Sequence, residues 1–83
     1  MTPKDVLKIC EEEGCCPLGL AVRRRGLARY SHPGSDEAAD MLGIPRNVAR
    51  SIMEAWDHGS SDSSALMALN SGILPSKDKG FWD

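Results

Sequence analysis

The sequence predicts an all-α fold: a compact bundle of about five short helices with a tightly turned central pair. Three observations lead there. Apolar residues recur at helical spacing, as in Val6, Leu7, Ile9 and Cys10, or Val48, Ala49, Ile52, Met53 and Trp56, which gathers them on one face of a helix. Gly14, Gly19, Gly26, Gly34, Gly43, Gly59 and Gly72 punctuate the chain where helices would stop. No segment shows the two-residue alternation of a half-buried strand.

Each element has its own justification. Thr2 is placed to cap a first helix, with Pro3 in its first turn and Asp5 as the capping-box acid. Glu11, Glu12 and Glu13 crowd its last turn, where negative charge opposes the helix dipole by roughly tenths of a kcal/mol per charge. Gly14 ends it, Cys15-Cys16-Pro17 connects, and Pro17 opens a second helix to about Arg25, with Leu18, Ala21 and Val22 inward. Leu27 to Gly34 is less regular: Arg29 and Tyr30 extend a turn at most, and Ser31-His32-Pro33-Gly34 breaks any element. Beyond the central pair, Gly59 to Ser64 is a polar loop that supplies caps. Ala65, Leu66 and Leu69 line a short last helix, stopped at Asn70-Ser71-Gly72, after which Ile73 and Leu74 fold back. The expected organisation is one helical domain, residues 1–75, followed by a polar C-terminal tail, residues 76–83. Its expected core is Val6, Leu7 or Ile9, Leu18, Val22, Leu42, Ile44, Ile52, Trp56 and Leu66. Trp56 should anchor it, because the chain has two Trp, one Tyr and one Phe in all.

The central pair occupies Ser35 to Trp56, SDEAADMLGIPRNVARSIMEAW. Ser35 is expected as N-cap, and Asp36 and Glu37 place negative charge in the first turn. Ala38, Ala39 and Leu42 share a face. Gly43 suits the left-handed residue that ends a helix, Ile44 points back to the core, and Pro45 opens the next helix. Val48, Ala49, Ile52, Met53 and Trp56 form the buried stripe of that second helix, leaving Arg46, Asn47, Arg50 and Glu54 outside. This pattern resembles the helix-turn-helix of DNA-binding proteins: Ala39 matches the small residue of the first helix, Gly43 the turn glycine and Ile44 the apolar residue after it. Leu42, Ala49 and Ile52 match the remaining buried positions. The resemblance implies a second helix in the major groove, with Arg46, Asn47 and Arg50 reaching phosphates or base edges. Read from the residues alone, the pair is a plain helical hairpin with solvated arginines.

A second likeness runs from Cys15 to Gly59. The segments CCPLGLAVRRRG, AADMLGIP and AWDHG resemble a group of short bacterial and phage-type proteins with a CPLG-like start, an AA-x-x-LG-[IV] centre and a GFDG-like end. Trp56-Asp57-His58-Gly59 departs from the Phe-Asp-Gly form. This resemblance implies a shared fold and no activity.

Eighty-three residues make one domain, and a chain this short buries only about 60% of its unfolded surface, so a homodimer would add useful buried area. The net charge of −2 is uneven: residues 21–50 carry six arginines against three acids, and the two flanking segments are acidic. A low pI argues against a DNA-binding surface, whereas the central basic excess could form a local patch. No apolar run approaches the length of a membrane span, and no signal peptide is evident. The odd count of three cysteines suits a reducing cytoplasm better than a disulfide framework.

Cys10, Cys15, Cys16, His32 and His58 are the only soft ligands; the Cys10–Cys15 interval is permissible for zinc but not distinctive, and no H-x3-5-H pair follows, so no metal or other cofactor is expected. Triads, paired carboxylates and phosphate-cradling glycine loops are also missing, and no catalytic residue is nominated. The expected function is binding of a macromolecule without catalysis. The target is either duplex DNA or a protein, such as a host protein bound by a phage-encoded inhibitor or adaptor. Arg46, Asn47 and Arg50 are the candidate contact residues, supplemented by Arg23, Arg24, Arg25 and Arg29. Phe81 and Trp82 are a candidate partner anchor that could equally fold back over the core.

Overall fold

Thr2 starts the first helix with the capping box its sequence predicts. In the computed structural model, which describes residues 1–27 and 34–82, Thr2 Oγ1 accepts the Asp5 N–H at 3.3 Å and the Asp5 carboxylate accepts the Thr2 N–H at 3.0 Å. The helix, α1, spans Pro3–Glu13. Gly14 ends it at φ +68°, and the Cys15 N–H returns to the Cys10 carbonyl at 3.1 Å. That bond joins the residues whose side chains close such a turn by apolar contact, and both Cys10 and Cys15 are buried. Helix α2 spans Pro17–Arg24 and is capped by Cys16, whose Sγ accepts the Gly19 N–H at 3.4 Å. Gly19, expected as a terminator, therefore lies inside a helix.

Helices α3 (Ser35–Leu42) and α4 (Arg46–Asp57) form the central pair. Gly34, not Ser35, occupies the N-cap of α3, and no side chain caps it. Gly43 adopts φ +71°, and the Ile44 N–H donates to the Ala39 carbonyl at 3.1 Å, as the tight turn requires. Pro45 stands one position earlier than expected, at the N-cap of α4. Helix α5 covers Ser61–Asn70, and a single turn, α6, covers Lys79–Trp82. The described residues contain no strand. The protein is an all-α bundle of six helices among those residues, α6 being the short addition to the five expected.

Helix α4 packs between α3 and α5, α1 lies against α5, and α2 touches all four. That placement explains why every residue from Pro17 to Val22 is buried. A stripe of Leu18, Ala21 and Val22 was the expectation, but a helix surrounded by neighbours is apolar all round, and Leu20 is as buried as Leu18. Alanines Ala38, Ala39, Ala49, Ala65 and Ala68 supply much of the remaining core, with Val6, Ile52, Ile73 and Leu74. Small side chains let the helix axes approach closely. Leu42, Ile44 and Trp56 lie at the flank of the core, half-buried. Trp56 is therefore not the central anchor.

Leu66 is a plain correction. It is 48% exposed, because α5 turns Ser64, Ala65 and Ala68 inward instead. Their spacing is helical, and Ser64 can enter the core because its Oγ donates to the Ile52 carbonyl at 2.7 Å, satisfying a hydroxyl that would otherwise be costly to bury.

Candidate partner-binding surfaces

Three of the candidate residues lie on one face of the central pair. Arg46, Asn47 and Arg50 are all exposed, as the buried stripe of α4 dictates. The two arginines are nevertheless committed. Arg46 donates from Nε and an Nη to both carboxylate oxygens of Asp40, at 3.1 and 2.8 Å. Arg50 does the same to Asp36, at 2.8 Å for both bonds. Each pair is the planar fork-to-fork arrangement that favours arginine over lysine. These hydrogen bonds hold both aspartates below the ordinary carboxyl value of 3.8 and push both guanidiniums above their own. Glu54 adds its field at Arg50, so three carboxylates face two guanidiniums. The result is an exposed, slightly acidic mosaic of paired charge on two helices joined by a glycine turn.

Asp36 and Asp40 were not among the candidate residues, yet their signal was present. Acids four apart on α3 and arginines four apart on α4 form two matched ladders. Only the pairing of α3 with α4 brings the ladders together.

A second surface unites two groups that looked separate in sequence. Arg23, Arg24 and Arg25 end α2, and α6 brings Phe81 and Trp82 beside them. Arg24 pairs with Glu13 at 2.6 Å and reaches the Trp82 carbonyl at 3.5 Å. Arg23 donates to the Glu13 carbonyl at 3.0 Å. The Arg25 guanidinium lies over the Phe81 ring, 5.1 Å from its centroid, and the Phe81 and Trp82 rings meet edge to face. Trp82 Nε1 donates to the Pro75 carbonyl at 2.8 Å. The aromatic pair is thus tied back onto its own chain and packs on the core; it does not project as a free anchor. Residues 76–82, expected as a polar tail, carry helix and touch the bundle. Arg29 and His32 lie outside the described residues.

The cysteines behave as packing groups. Burial pushes the Cys10 thiol up to about 12, far from the thiolate needed for nucleophilic or metal chemistry. Burial also raises Cys15, with Arg23 beside it pulling the other way. Among the described residues no three His, Cys, Asp or Glu side chains converge as metal ligands.

No described helix is long and apolar enough to cross a membrane. Comparison of the chain with protein-family models, with curated proteins and with solved structures finds no match.

Proposed function

We propose that this is a small, non-catalytic macromolecule-binding protein that docks on another protein through the outer face of α3 and α4. One observation carries the reading: both arginines of α4 are held by two hydrogen bonds each on aspartates of α3. A duplex-binding face needs guanidiniums free to meet phosphates and guanines. Here each would have to leave a carboxylate that then faces the phosphate backbone. A protein partner has no such conflict, since a mosaic of opposite charges supplies register and selectivity through complementary charges opposite it. Exposed Asn47 adds a neutral donor and acceptor beside the mosaic.

The test pairs two double variants. Asp36→Asn with Asp40→Asn frees both arginines, and Arg46→Ala with Arg50→Ala removes them. The wild type should show no salt-dependent affinity for duplex DNA, and both variants should lose a partner that the wild type captures by crosslinking in extract of its source cell. Duplex binding by the wild type, tightened and made steeper in salt by the aspartate variant, would show that DNA is the target. A protein partner retained by both variants would move the interface elsewhere.

A further inference from the structure

The exposed Leu66 stands at the edge of a groove between α1 and α5, of about 450 Å³, lined by Thr2, Pro3, Lys4, Asp62, Ser63 and Leu66. Its accessible surface is almost wholly apolar, so water gains little there. The two walls carry opposite charges: Lys4 on α1 and Asp62 on α5. Both side chains are exposed, and neither has an ionic partner among the described residues.

We infer that this groove is the contact surface of a symmetric homodimer. A two-fold axis through the groove exchanges its walls. Lys4 of one copy then stands opposite Asp62 of the other, twice, and Leu66 of each copy lies over Pro3 of the other. The groove is therefore complementary to itself, as a two-fold interface must be. The composition of the core gives the motive. Six of the fifteen buried apolar residues are alanine, which contributes little burial per residue, and a chain this small gains disproportionately from a second copy. This surface shares no residue with the α3–α4 face, so the dimer stands or falls independently of the function proposed above.

Sedimentation or light scattering across a concentration range tests it, with far-UV circular dichroism as a folding control. The wild type should dimerise with a Kd tighter than about 1 mM. Leu66→Asp, and more mildly Leu66→Ala, should shift the equilibrium toward monomer. Lys4→Glu and Asp62→Lys alone should each weaken the dimer at least about tenfold, because each sets like charges against one another. Mixing those two variants in equal amounts should restore it as a heterodimer, since both cross-pairs are then opposite in sign. A wild type that stays monomeric, variants that dimerise like the wild type, or a mixture that fails to associate would each overturn the inference.

Discussion

At the scale of single residues, Gly43 and Leu20 show what backbone and burial each decide. Gly43 holds φ +71° with nothing within 4 Å of the place a Cβ would occupy. The cost of replacing it is therefore backbone strain alone. Gly43→Val should destabilise by about 1–2 kcal/mol, read as a fall of several degrees in the thermal midpoint. An unchanged midpoint would show that the turn does not hold Gly43 in the left-handed region. Leu20 is fully buried, whereas Leu66 is half exposed. Leu20→Ala should cost about 2–5 kcal/mol, and Leu66→Ala less than about 1 kcal/mol in protein dilute enough to be monomeric. Urea titrations of the two variants would reveal a reversed order, which would place the core on the wrong side of α5. Gly43 could be recognised in the sequence, since a glycine between two apolar-striped segments has few other uses. Leu20 could not, because a one-sided stripe was the natural expectation until α2 proved central.

At the scale of elements, ion pairs and caps decide how neighbouring helices meet. Three acids in the last turn of α1 look unfavourable in isolation. In the bundle, Glu13 meets Arg24 at 2.6 Å and its carbonyl accepts from Arg23, so the end of α1 is satisfied by the end of α2. The α3–α4 pairs have a defined pH signature. Asp36 and Asp40 have folded values below the ordinary 3.8 because Arg50 and Arg46 hydrogen-bond to their charged forms. Their contribution is thus present above roughly pH 4 and fades as pH falls through the lowered folded values. Thermal midpoints measured downward from neutral pH should therefore fall more steeply for the wild type than for the Asp36→Asn, Asp40→Asn double variant. Parallel curves would mean that the pairs do not persist in solution. The effect should also shrink in high salt, as both pairs are exposed.

At the scale of the whole molecule, the C-terminal segment closes the bundle. Trp82 bonds to Pro75 and packs with Phe81 on the core, and Met1 N donates to the Ser76 carbonyl at 2.7 Å. Removing the indole should loosen α6 and uncover the end of α2. Trp82→Ala should cost about 1–3 kcal/mol through lost apolar contact and one lost hydrogen bond. Its unfolding should remain a single cooperative transition, as expected of a small domain. A separate early transition would show that residues 76–82 are an independent appendage.

The sequence by itself determined the fold class, the glycine turn of the central pair and the outward position of Arg46, Asn47 and Arg50, while both helix starts of that pair fell one residue from their expected places. Those properties follow from periodicity, proline, glycine and capping chemistry, which act within a few residues of one another. Only the tertiary structure decided that Pro17–Val22 of α2 is buried all round, that Leu66 faces out while Ser64 faces in, and that Arg23–Arg25 share a surface with Phe81 and Trp82. It also decided that the arginines of α4 are paired with aspartates of α3. Each of these depends on which helix faces which, and helical periodicity fixes the shape of a stripe without naming the neighbour that covers it. Burial of Ser64 needed the Ile52 carbonyl across the α4–α5 contact, and the paired ladders needed α3 laid against α4. Contacts between residues distant in sequence carry no local signature, so they became visible only when the helices were brought together.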